Sequence, residues 1–387
     1  MYKRDIEAEL LKMANSYPIV TVIGPRQAGK TTLVRKVFPE KPYANLESPD
    51  VRALAETDPR GFLNRYPDGA ILDEVQRVPK LLSYIQVIVD ELDQKGMFIL
   101  TGSHQREVQL AVSQSLAGRT AILDLLPMSL VELAEAGINL SLDEALLYGG
   151  YPRIFKDKLE PTNAYANYFR TYIERDLREL VNVKDLSQFQ IFVKLCASRI
   201  GQLLNLEAIG NEVGVSSNTI KHWISILEAS FVVIRLQPYF ENFGKRQIKT
   251  PKLFFTDVGL ASFLLEIHNT SQMAASPMRG HLFENLVFLE LVKNRLNQGL
   301  LPQLYFYRDM KANEVDFIFK KGHELVPIEV KSSQTFHPSL FKNLTYFQGL
   351  VGERSRNGYL IYAGDLEQPV GAFHLLNYKR SGEAVKE

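Results

Sequence analysis

The chain has 387 residues and a formal net charge of +1, with 45% hydrophobic and 23% charged residues. This composition is typical of a folded globular protein of two or three domains, and the near-zero charge excludes a globally basic nucleic-acid binder. Contact with nucleic acid would therefore have to come from a local patch. One cysteine, Cys196, excludes a disulfide framework; it lies in an apolar helical pattern typical of a buried thiol in a reducing cytosol.

The first segment, "MYKRDIEAELLKMAN", predicts a charged amphipathic helix. It lacks the apolar centre of a signal peptide, and no stretch of the sequence approaches the roughly 20 apolar residues that a membrane span needs. The sequence therefore favours a cytoplasmic protein with no membrane partner.

A glycine-rich motif follows a short apolar strand. The β-branched run Ile19–Ile23 is typical of a buried parallel strand, and "GPRQAGKT" completes the G-x-x-x-x-G-K-[ST] pattern of a P-loop. The predicted ATP-binding residues are Gly24, Pro25, Arg26, Gln27, Ala28, Gly29, Lys30, Thr31 and Thr32. Lys30 is expected to reach the β- and γ-phosphates and Thr31 to bind Mg²⁺. The alternative is a glycine turn that matches the motif by chance.

Two acidic residues follow the next apolar strand, at residues 70–72. Asp73 is predicted to hold Mg²⁺ and Glu74 to polarise the attacking water, because parallel sheets place ligands at the carboxyl ends of their strands. The strand "MFILTGS" also ends in polar residues. Ser103 is the first candidate for orienting the water and Thr101 the second, with a helix cap as the alternative.

An arginine precedes a further strand in the segment "SLAGRTAILDL". Arg119 is a candidate arginine finger, acting within the chain or in a neighbouring subunit of a homo-oligomer, and the alternative is a surface arginine. Amphipathic helices, such as the one predicted over residues 79–92, separate the strands. The N-terminal part is therefore predicted to be an α/β nucleotide-binding domain.

These segments together resemble a known family. "GPRQAGKTT", "ILDEVQRVP", "ILTGS" and "SLAGR", with "GGYPRIF" and "YIERDL" further on, are similar to segments of the prokaryotic AAA+-type ATPases whose carboxyl-terminal domain was long left uncharacterised. The resemblance extends over nearly the whole chain. It implies ATP binding and hydrolysis, without a settled biological role.

The middle of the chain predicts a winged helix-turn-helix. A helix over residues 206–213 ends at Gly214, Ser216 caps a second helix over residues 217–228, and the strand "FVVIRL" follows. In such a module the second helix enters the major groove of DNA. Lys221 is expected to be exposed on this helix.

A basic segment, "NFGKRQIKTPK", follows these strands. A wing at this place contacts phosphates, so the predicted DNA-binding residues are Lys221, Lys245, Arg246 and Lys249, with Lys252 as a further wing cation. The alternative is a protein-interaction module with the same fold. One lysine and no arginine on the second helix predict nonspecific rather than sequence-specific contact.

The last third of the chain places polar residues in a definite order. Glu284 lies on a helix predicted over residues 280–296, Asp316 on the first strand of a β-hairpin, and Glu329 with Lys331 on the second strand. Side chains two residues apart on a strand project to the same face. Glu329 and Lys331 are therefore expected to be neighbours, either as an ion pair at a sheet edge or as part of a metal site.

This order resembles the PD-(D/E)XK nuclease superfamily. The resemblance implies a restriction-endonuclease-like α/β fold in which Asp316 and Glu329 hold a second Mg²⁺ or Mn²⁺ and Glu284 completes the shell. Lys331 would orient the water or stabilise the developing charge, and Glu314 shares the face of Asp316. A fold does not determine an activity, so binding of DNA or of a partner without cleavage stays open.

The sequence thus predicts an α/β protein of three parts. Residues 1–135 form a parallel-sheet P-loop ATPase domain of the AAA+ type, residues 136–255 a helical segment and winged helix, and residues 256–387 the nuclease-like domain. The predicted function is Mg²⁺-dependent ATP hydrolysis coupled to the handling of DNA or of a partner. The alternatives are an ATP-switched signalling or assembly scaffold without DNA chemistry, and an ATP-controlled, metal-dependent DNA nuclease.

Overall fold

The computed structural model describes residues 1–103, 116–177, 186–240 and 249–386. The chain divides into two compact units. The first comprises Met1–Met128, Ala229–Phe231 and Leu296–Leu300, and the second comprises Ser129–Glu228, Val232–Arg295 and Leu301–Glu387. The first boundary lies close to the predicted one at residue 135, whereas the predicted winged-helix and nuclease-like parts fall within one unit.

A five-stranded parallel sheet forms the centre of the first unit, in the order β2-β3-β4-β1-β5. Its strands are β1 (Ile19–Ile23), β2 (Tyr43–Asn45), β3 (Ala70–Asp73), β4 (Phe98–Gly102) and β5 (Thr120–Asp124). Every residue of β1, β3 and β4 is buried, as expected for central strands of a parallel sheet that is covered on both faces. The segments that follow these three strands leave the sheet at the same edge, where parallel sheets place their ligands.

The helices of the first unit hold the segment after β1 against the sheet. They are α1 (Glu7–Ser16), α2 (Lys30–Val37), α3 (Pro49–Thr57), α4 (Pro59–Asn64) and α5 (Leu81–Leu92), with a 3-10 helix at Val75–Arg77. Leu10 of α1 and Leu33 of α2 belong to one core cluster with Val20, Ile71 and Ile99 of the sheet. Burial of such side chains contributes about 1.5–3 kcal/mol each, so it fixes the position of α2, which begins at Lys30.

The second unit begins with a helical region. Its helices are α6 (Leu130–Glu135), α7 (Leu142–Tyr148), α8 (Pro152–Lys156), α9 (Pro161–Tyr168), a π-helix (Phe169–Leu177), α10 (Leu186–Ser198), α11 (Leu206–Val213), α12 (Ser217–Ala229), α13 (Val258–Leu264) and α14 (Thr270–Ala275). Among the helices of the described ranges, none combines the length and the apolar character that crossing a bilayer would require.

Helices α11 and α12 occupy the segment that is predicted as a helix-turn-helix. Gly214 ends α11 in the left-handed conformation, with a φ of 80°, and its N–H donates to the carbonyl of Gly210. Ser216 Oγ accepts a hydrogen bond from the backbone N–H of Thr219 at 3.1 Å and so caps α12. A two-stranded antiparallel sheet of β6 (Val233–Leu236) and β7 (Lys252–Phe255) completes this region.

A six-stranded mixed sheet forms the rest of the second unit, in the order β12-β13-β11-β10-β9-β8. Its strands are β8 (Leu304–Arg308), β9 (Glu314–Lys321), β10 (Glu324–Lys331), β11 (Gly358–Tyr362), β12 (Gln368–Val370) and β13 (Phe373–Asn377). The other elements are α15 (Arg279–Leu296), α16 (Lys342–Val351) and 3-10 helices at Pro338–Phe341, Gly352–Arg354 and Tyr378–Val385. The predicted hairpin is β9 paired with β10, whose antiparallel register sets Ile328 opposite Phe317 and so places Glu329 near Asp316.

Candidate nucleotide site

The P-loop lies between β1 and α2, with the bounds that the sequence predicts. Gly24 has a φ of 155° and Gly29 a φ of 95°, conformations that side chains with a Cβ rarely adopt. A Cβ on Gly24 would lie 2.1 Å from the carbonyl oxygen of Leu125. Glycine is therefore required at this position for the loop to pass Leu125, the residue after β5, which explains the first glycine of the motif.

Lys30 is buried, with 5% of its surface exposed, and its ammonium lies inside the loop. Lys30 Nζ donates hydrogen bonds to the carbonyl oxygens of Gly24, at 3.0 Å, and of Pro25, at 2.9 Å. Burial lowers the pKa of Lys30, and the nearby carboxylates of Glu74 and Asp73 partly oppose that shift. The cation is thus held where an anionic ligand cradled by the loop would meet it.

Asp73 connects the end of β3 to the P-loop helix. Thr31 Oγ1 donates to its carboxylate oxygens at 3.0 and 2.9 Å, Tyr43 Oη donates at 2.7 Å, and Thr101 Oγ1 is a third donor. A threonine hydroxyl beside a carboxylate supplies the hard oxygen ligands that Mg²⁺ prefers. The predicted pair, Thr31 and Asp73, therefore fits a magnesium ion.

Glu74 follows in the left-handed conformation, with a φ of 56°. Its carboxylate accepts hydrogen bonds from Ser103 Oγ, at 2.9 Å, and from Gln76 Nε2, and its backbone N–H donates to Thr101 Oγ1 at 3.2 Å. Burial opposes ionisation of Glu74, but the Lys30 ammonium and the hydrogen bonds from Gln76 and Ser103 together lower its pKa. The site thus holds an ionised carboxylate beside the P-loop.

The two candidates at the end of β4 contact different acids. Ser103, the first candidate, reaches Glu74, whereas Thr101 bridges Asp73 and the backbone of Glu74. Two further contacts were not predicted, those of Tyr43 and Gln76. Gln76 lies within the quoted acidic motif, but no sequence signal points to Tyr43, which reaches Asp73 from the neighbouring strand β2.

The structure does not bring Arg119 to the P-loop of its own chain. The Arg119 carbonyl accepts a hydrogen bond from Ile19 N at the beginning of β1, whereas the P-loop follows the end of that strand. The guanidinium makes a bidentate ion pair with Asp90 of α5, with Nε–Oδ1 at 2.5 Å and Nη2–Oδ2 at 2.8 Å. Of the two modes of action predicted for an arginine finger, only action on a neighbouring subunit agrees with this position, and the half-exposed ion pair agrees equally with the alternative of a surface arginine.

Two of the predicted DNA-binding cations are exposed, and two lie outside the described residues. Lys221 is exposed on α12 while Trp223 is buried, as expected for a second helix with one exposed face. Lys249 is exposed, with its ammonium 5.2 Å from the ring centre of Phe240. Lys245 and Arg246 lie outside the described residues.

Lys252 is not a wing cation, because its side chain is buried, with 2% of its surface exposed. Lys252 Nζ lies 3.0 Å from Glu284 Oε1 and 2.5 Å from Glu314 Oε1. It is the first residue of β7, a strand whose four residues are all buried. One cation of the basic segment is therefore buried in the interior of the second unit.

Asp316, Glu329 and Lys331 of the C-terminal sheet lie close together. Lys331 Nζ lies 2.7 Å from Glu329 Oε1 and 3.7 Å from Asp316 Oδ2, and Asp316 accepts a hydrogen bond from Val330 N at 2.8 Å. Asn343 Nδ2 donates to Glu329 Oε1 at 3.0 Å. Burial and the Asp316 carboxylate raise the pKa of Glu329 to about 8, while Lys331 and Asn343 oppose that shift.

Glu284 does not join them as a free ligand. Its carboxylate pairs with Lys252, and burial raises its pKa to about 7 against the opposing effect of that ammonium. Within residues 1–103, 116–177, 186–240 and 249–386, no three histidine, cysteine, aspartate or glutamate side chains form a group suited to a metal ion. Of the predicted set, the structure brings Asp316 and Glu329 together and leaves Glu329 Oε2 buried without a hydrogen-bond partner among the described residues, whereas it pairs Glu284 with Lys252.

Three family profiles match consecutive parts of the chain. Residues 16–134 match the family described as "AAA domain". Residues 139–271 match "Domain of unknown function (DUF8612)", and residues 279–380 match "Domain of unknown function (DUF4143)". The N-terminal domain is thus an AAA-type, ATPase-like P-loop domain, followed by a helical middle and a C-terminal sheet domain.

Similar proteins include the uncharacterized proteins Mb2031c of Mycobacterium bovis and Rv2008c of Mycobacterium tuberculosis. Each is 28% identical over 373 residues, which cover 95% of this chain and 81% of the relative. Similar solved structures include the Walker-type ATPase paby2304 of Pyrococcus abyssi, at 13% identity and a TM-score of 0.46 over 68% of this chain and 96% of that chain. AMPPCP-bound DnaA from Aquifex aeolicus has 16% identity and a TM-score of 0.30 over 58% of this chain and 85% of that chain. With TM-scores below 0.5, neither structural likeness bears on the function.

Proposed function

We propose that this protein is a Mg²⁺-dependent ATPase whose nucleotide state controls the helical middle and the C-terminal sheet domain. The observation that carries the proposal is the Thr31 hydroxyl hydrogen-bonded to Asp73, with the Glu74 carboxylate as the next residue of the chain. These side chains stand at the edge of the sheet where the P-loop leaves β1. They supply a metal-binding pair and an ionised carboxylate in one place.

Each residue then has a definite task. The backbone N–H groups of the P-loop and the Lys30 ammonium would bind the β- and γ-phosphates, and Thr31 with Asp73 would hold Mg²⁺. When bound, Mg²⁺ neutralises the charge that develops on the phosphate oxygens. Glu74 accepts a hydrogen bond from the attacking water and polarises it, and Ser103 holds the Glu74 carboxylate in position.

Removal of the P-loop ammonium tests the proposal. Lys30→Ala should abolish ATP binding and turnover, because the loop then has no buried ammonium to meet the phosphates. Lys36→Ala is the matched control, since Lys36 lies on the same helix but pairs with Glu7 at 2.6 Å instead of facing the loop. ATP binding is measured by calorimetry and turnover by phosphate release. Equal ATP turnover by the parent protein and Lys30→Ala would contradict the proposed ATPase function.

We further propose that the helix-turn-helix contacts DNA without sequence preference. The supporting observation is the exposed face of α12, where Asn218, Lys221 and His222 are exposed while Trp223 is buried. Lys221→Ala combined with Lys245→Ala, Arg246→Ala and Lys249→Ala should weaken duplex binding. It should also reduce the slope of log affinity against log salt by about 0.9 for each DNA phosphate that the variant no longer neutralises.

A matched control separates a DNA surface from general charge. Lys156→Ala removes one exposed cation from α8, as Lys221→Ala alone does from α12, but unlike Lys221→Ala it should leave the affinity and the salt slope unchanged. If the parent protein does not bind duplex DNA at low salt, the helix-turn-helix is a protein-contact module. The protein would then be an ATP-switched scaffold.

We propose that the C-terminal sheet domain recognises a partner or DNA rather than cutting it. Asp316, Glu329 and Lys331 are together, but Glu284 is held by Lys252. Incubation of the parent protein with Mg²⁺ or Mn²⁺ and duplex, single-stranded or branched DNA should leave the DNA intact. Cleavage that disappears in Glu329→Ala would contradict this proposal.

A further inference from the structure

Four acidic side chains of the second unit, Glu284, Glu314, Asp316 and Glu329, form an acidic cluster. This cluster contains a buried lysine, Lys252. Lys252 is almost completely buried, and its ammonium lies within hydrogen-bond distance of two carboxylates, Glu284 of α15 at 3.0 Å and Glu314 of β9 at 2.5 Å. The ring centre of Phe306 on β8 lies 5.4 Å from the same ammonium. Lys252 therefore joins three elements of the C-terminal sheet domain from its position on β7.

The backbone of Gly201 lies close to the Glu284 carboxylate that pairs with Lys252. Gly201 N donates to the carbonyl of Leu253 at 2.9 Å, which fixes the segment before α11 against β7. A Cβ on Gly201 would lie 2.9 Å from Glu284 Oε2, so the Gly201 backbone approaches that oxygen closely. One oxygen of Glu284 thus faces Lys252 and the other faces Gly201.

The charges around this cluster are compensated by protein cations. Arg308 Nη1 makes a hydrogen bond to Glu314 Oε2 at 2.8 Å, and Lys331 pairs with Glu329 and lies near Asp316. Buried carboxylates without a partner are strongly destabilising, and either a metal ion or a lysine can compensate them. A divalent cation needs several carboxylate oxygens free of other cations. Glu284 and Glu314, both paired to Lys252, do not offer them.

We infer that Lys252 takes the place of a divalent cation in this acidic cluster. The lysine compensates Glu284 and Glu314 permanently, so the cluster is stable without metal. The same side chain ties β7, which pairs with the strand after the helix-turn-helix, to α15 and β9. This inference does not depend on the ATPase proposal, because it concerns residues of the second unit alone.

Binding of Mn²⁺ by the nucleotide-free full chain tests the inference, with free Mn²⁺ measured by electron paramagnetic resonance. The parent protein and the Asp316→Asn, Glu329→Gln double variant should bind the same number of Mn²⁺ ions, because the cluster holds none. Lys252→Met should gain one Mn²⁺ per chain, since two carboxylates are then without their cation. Lys249→Met is the matched control, because it removes an exposed lysine three positions earlier and should gain no ion.

Two outcomes would overturn the inference. The first is a parent protein that binds one Mn²⁺ more than the Asp316→Asn, Glu329→Gln variant. The second is a folded Lys252→Met variant with the same Mn²⁺ binding as the parent. If Lys252→Met does not fold, the comparison of the parent with the double variant decides alone: equal binding supports the inference, and one ion fewer in the double variant contradicts it.

Discussion

At the scale of single residues, Asp73 depends on a tyrosine from a neighbouring strand. Tyr43 Oη donates to Asp73 Oδ2 at 2.7 Å, beside the hydroxyl of Thr31. Burial and the adjacent Asp73 raise the pKa of Tyr43 above its ordinary value, so the phenol stays a hydrogen-bond donor throughout the physiological pH range. Tyr43 is therefore a positioning residue for the proposed magnesium ligand.

Removal of this hydroxyl should weaken the metal site. Hydrogen bonds to charged groups contribute about 1.5–3 kcal/mol, so Tyr43→Phe should raise the Mg²⁺ concentration needed for half-maximal ATP turnover by roughly tenfold or more. Turnover is measured as a function of Mg²⁺. Tyr84→Phe, on the exposed side of α5, is the control and should behave as the parent. An unchanged Mg²⁺ dependence in Tyr43→Phe would show that Asp73 needs no such support.

Site residues within a continuous motif could be predicted from the sequence. Residues that reach the same site from another strand could not. The P-loop residues and the Asp73–Glu74 pair were predicted from short motifs after apolar strands, and the structure brings Thr31 of the first motif into contact with Asp73 of the second. Tyr43 and Lys252 contact their partners across 30 and 32 residues of sequence, respectively. Such contacts are set by strand order and packing, which a local pattern does not contain.

At the scale of elements, the strand patterns predicted the sheets better than they predicted individual side chains. The helix after the P-loop and the β9–β10 hairpin are observed as expected. Lys252 was assigned to an exposed wing because it ends a basic segment. The four-residue strand "KLFF" is instead buried throughout, and the carboxylates of α15 and β9 make burial of the lysine favourable.

The buried carboxyl of β10 predicts a definite pH dependence. Because the pKa of Glu329 is raised to about 8 in the folded protein, from an ordinary value of 4.5, the folded chain binds a proton that the unfolded chain releases. The free energy of unfolding should therefore fall as the pH rises from 4.5 towards 8, with a slope of up to about 1.4 kcal/mol per pH unit from this group.

Replacement of Glu329 by glutamine, its neutral isostere, isolates the contribution of this carboxyl to the pH dependence of stability. Glu329→Gln should show a flatter fall of unfolding free energy over the same pH range in urea titrations, because glutamine has no proton to release. Glu353→Gln, at an exposed position, is the control and should keep the parent's slope. An identical slope in the parent and Glu329→Gln would contradict the raised pKa.

The position of Arg119 in the fold bears on how copies of the chain assemble. Its guanidinium pairs with Asp90, and the residue lies beside the beginning of β1, whereas the P-loop follows the end of that strand. We propose that it contacts nucleotide bound to a neighbouring copy in a homo-oligomer.

A mixing experiment tests this assembly. Arg119→Ala and Lys30→Ala should each turn over ATP poorly, and a mixture of the two should regain activity, because an intact P-loop would meet an intact arginine. Phosphate release is measured for each variant and for the mixture. Full activity of Arg119→Ala alone would exclude the arginine from the reaction.

ATP hydrolysis by Glu74→Gln tests the proposed ATPase activity most directly. The parent protein should hydrolyse ATP only with Mg²⁺, and the variant should bind ATP with equal affinity while turnover falls by a factor of about 10²–10⁴, the usual contribution of a general base. Glu56→Gln, at an exposed position on α3, should keep the parent's rate. Parental turnover in Glu74→Gln, or a parent protein that hydrolyses no ATP, would contradict the central claim.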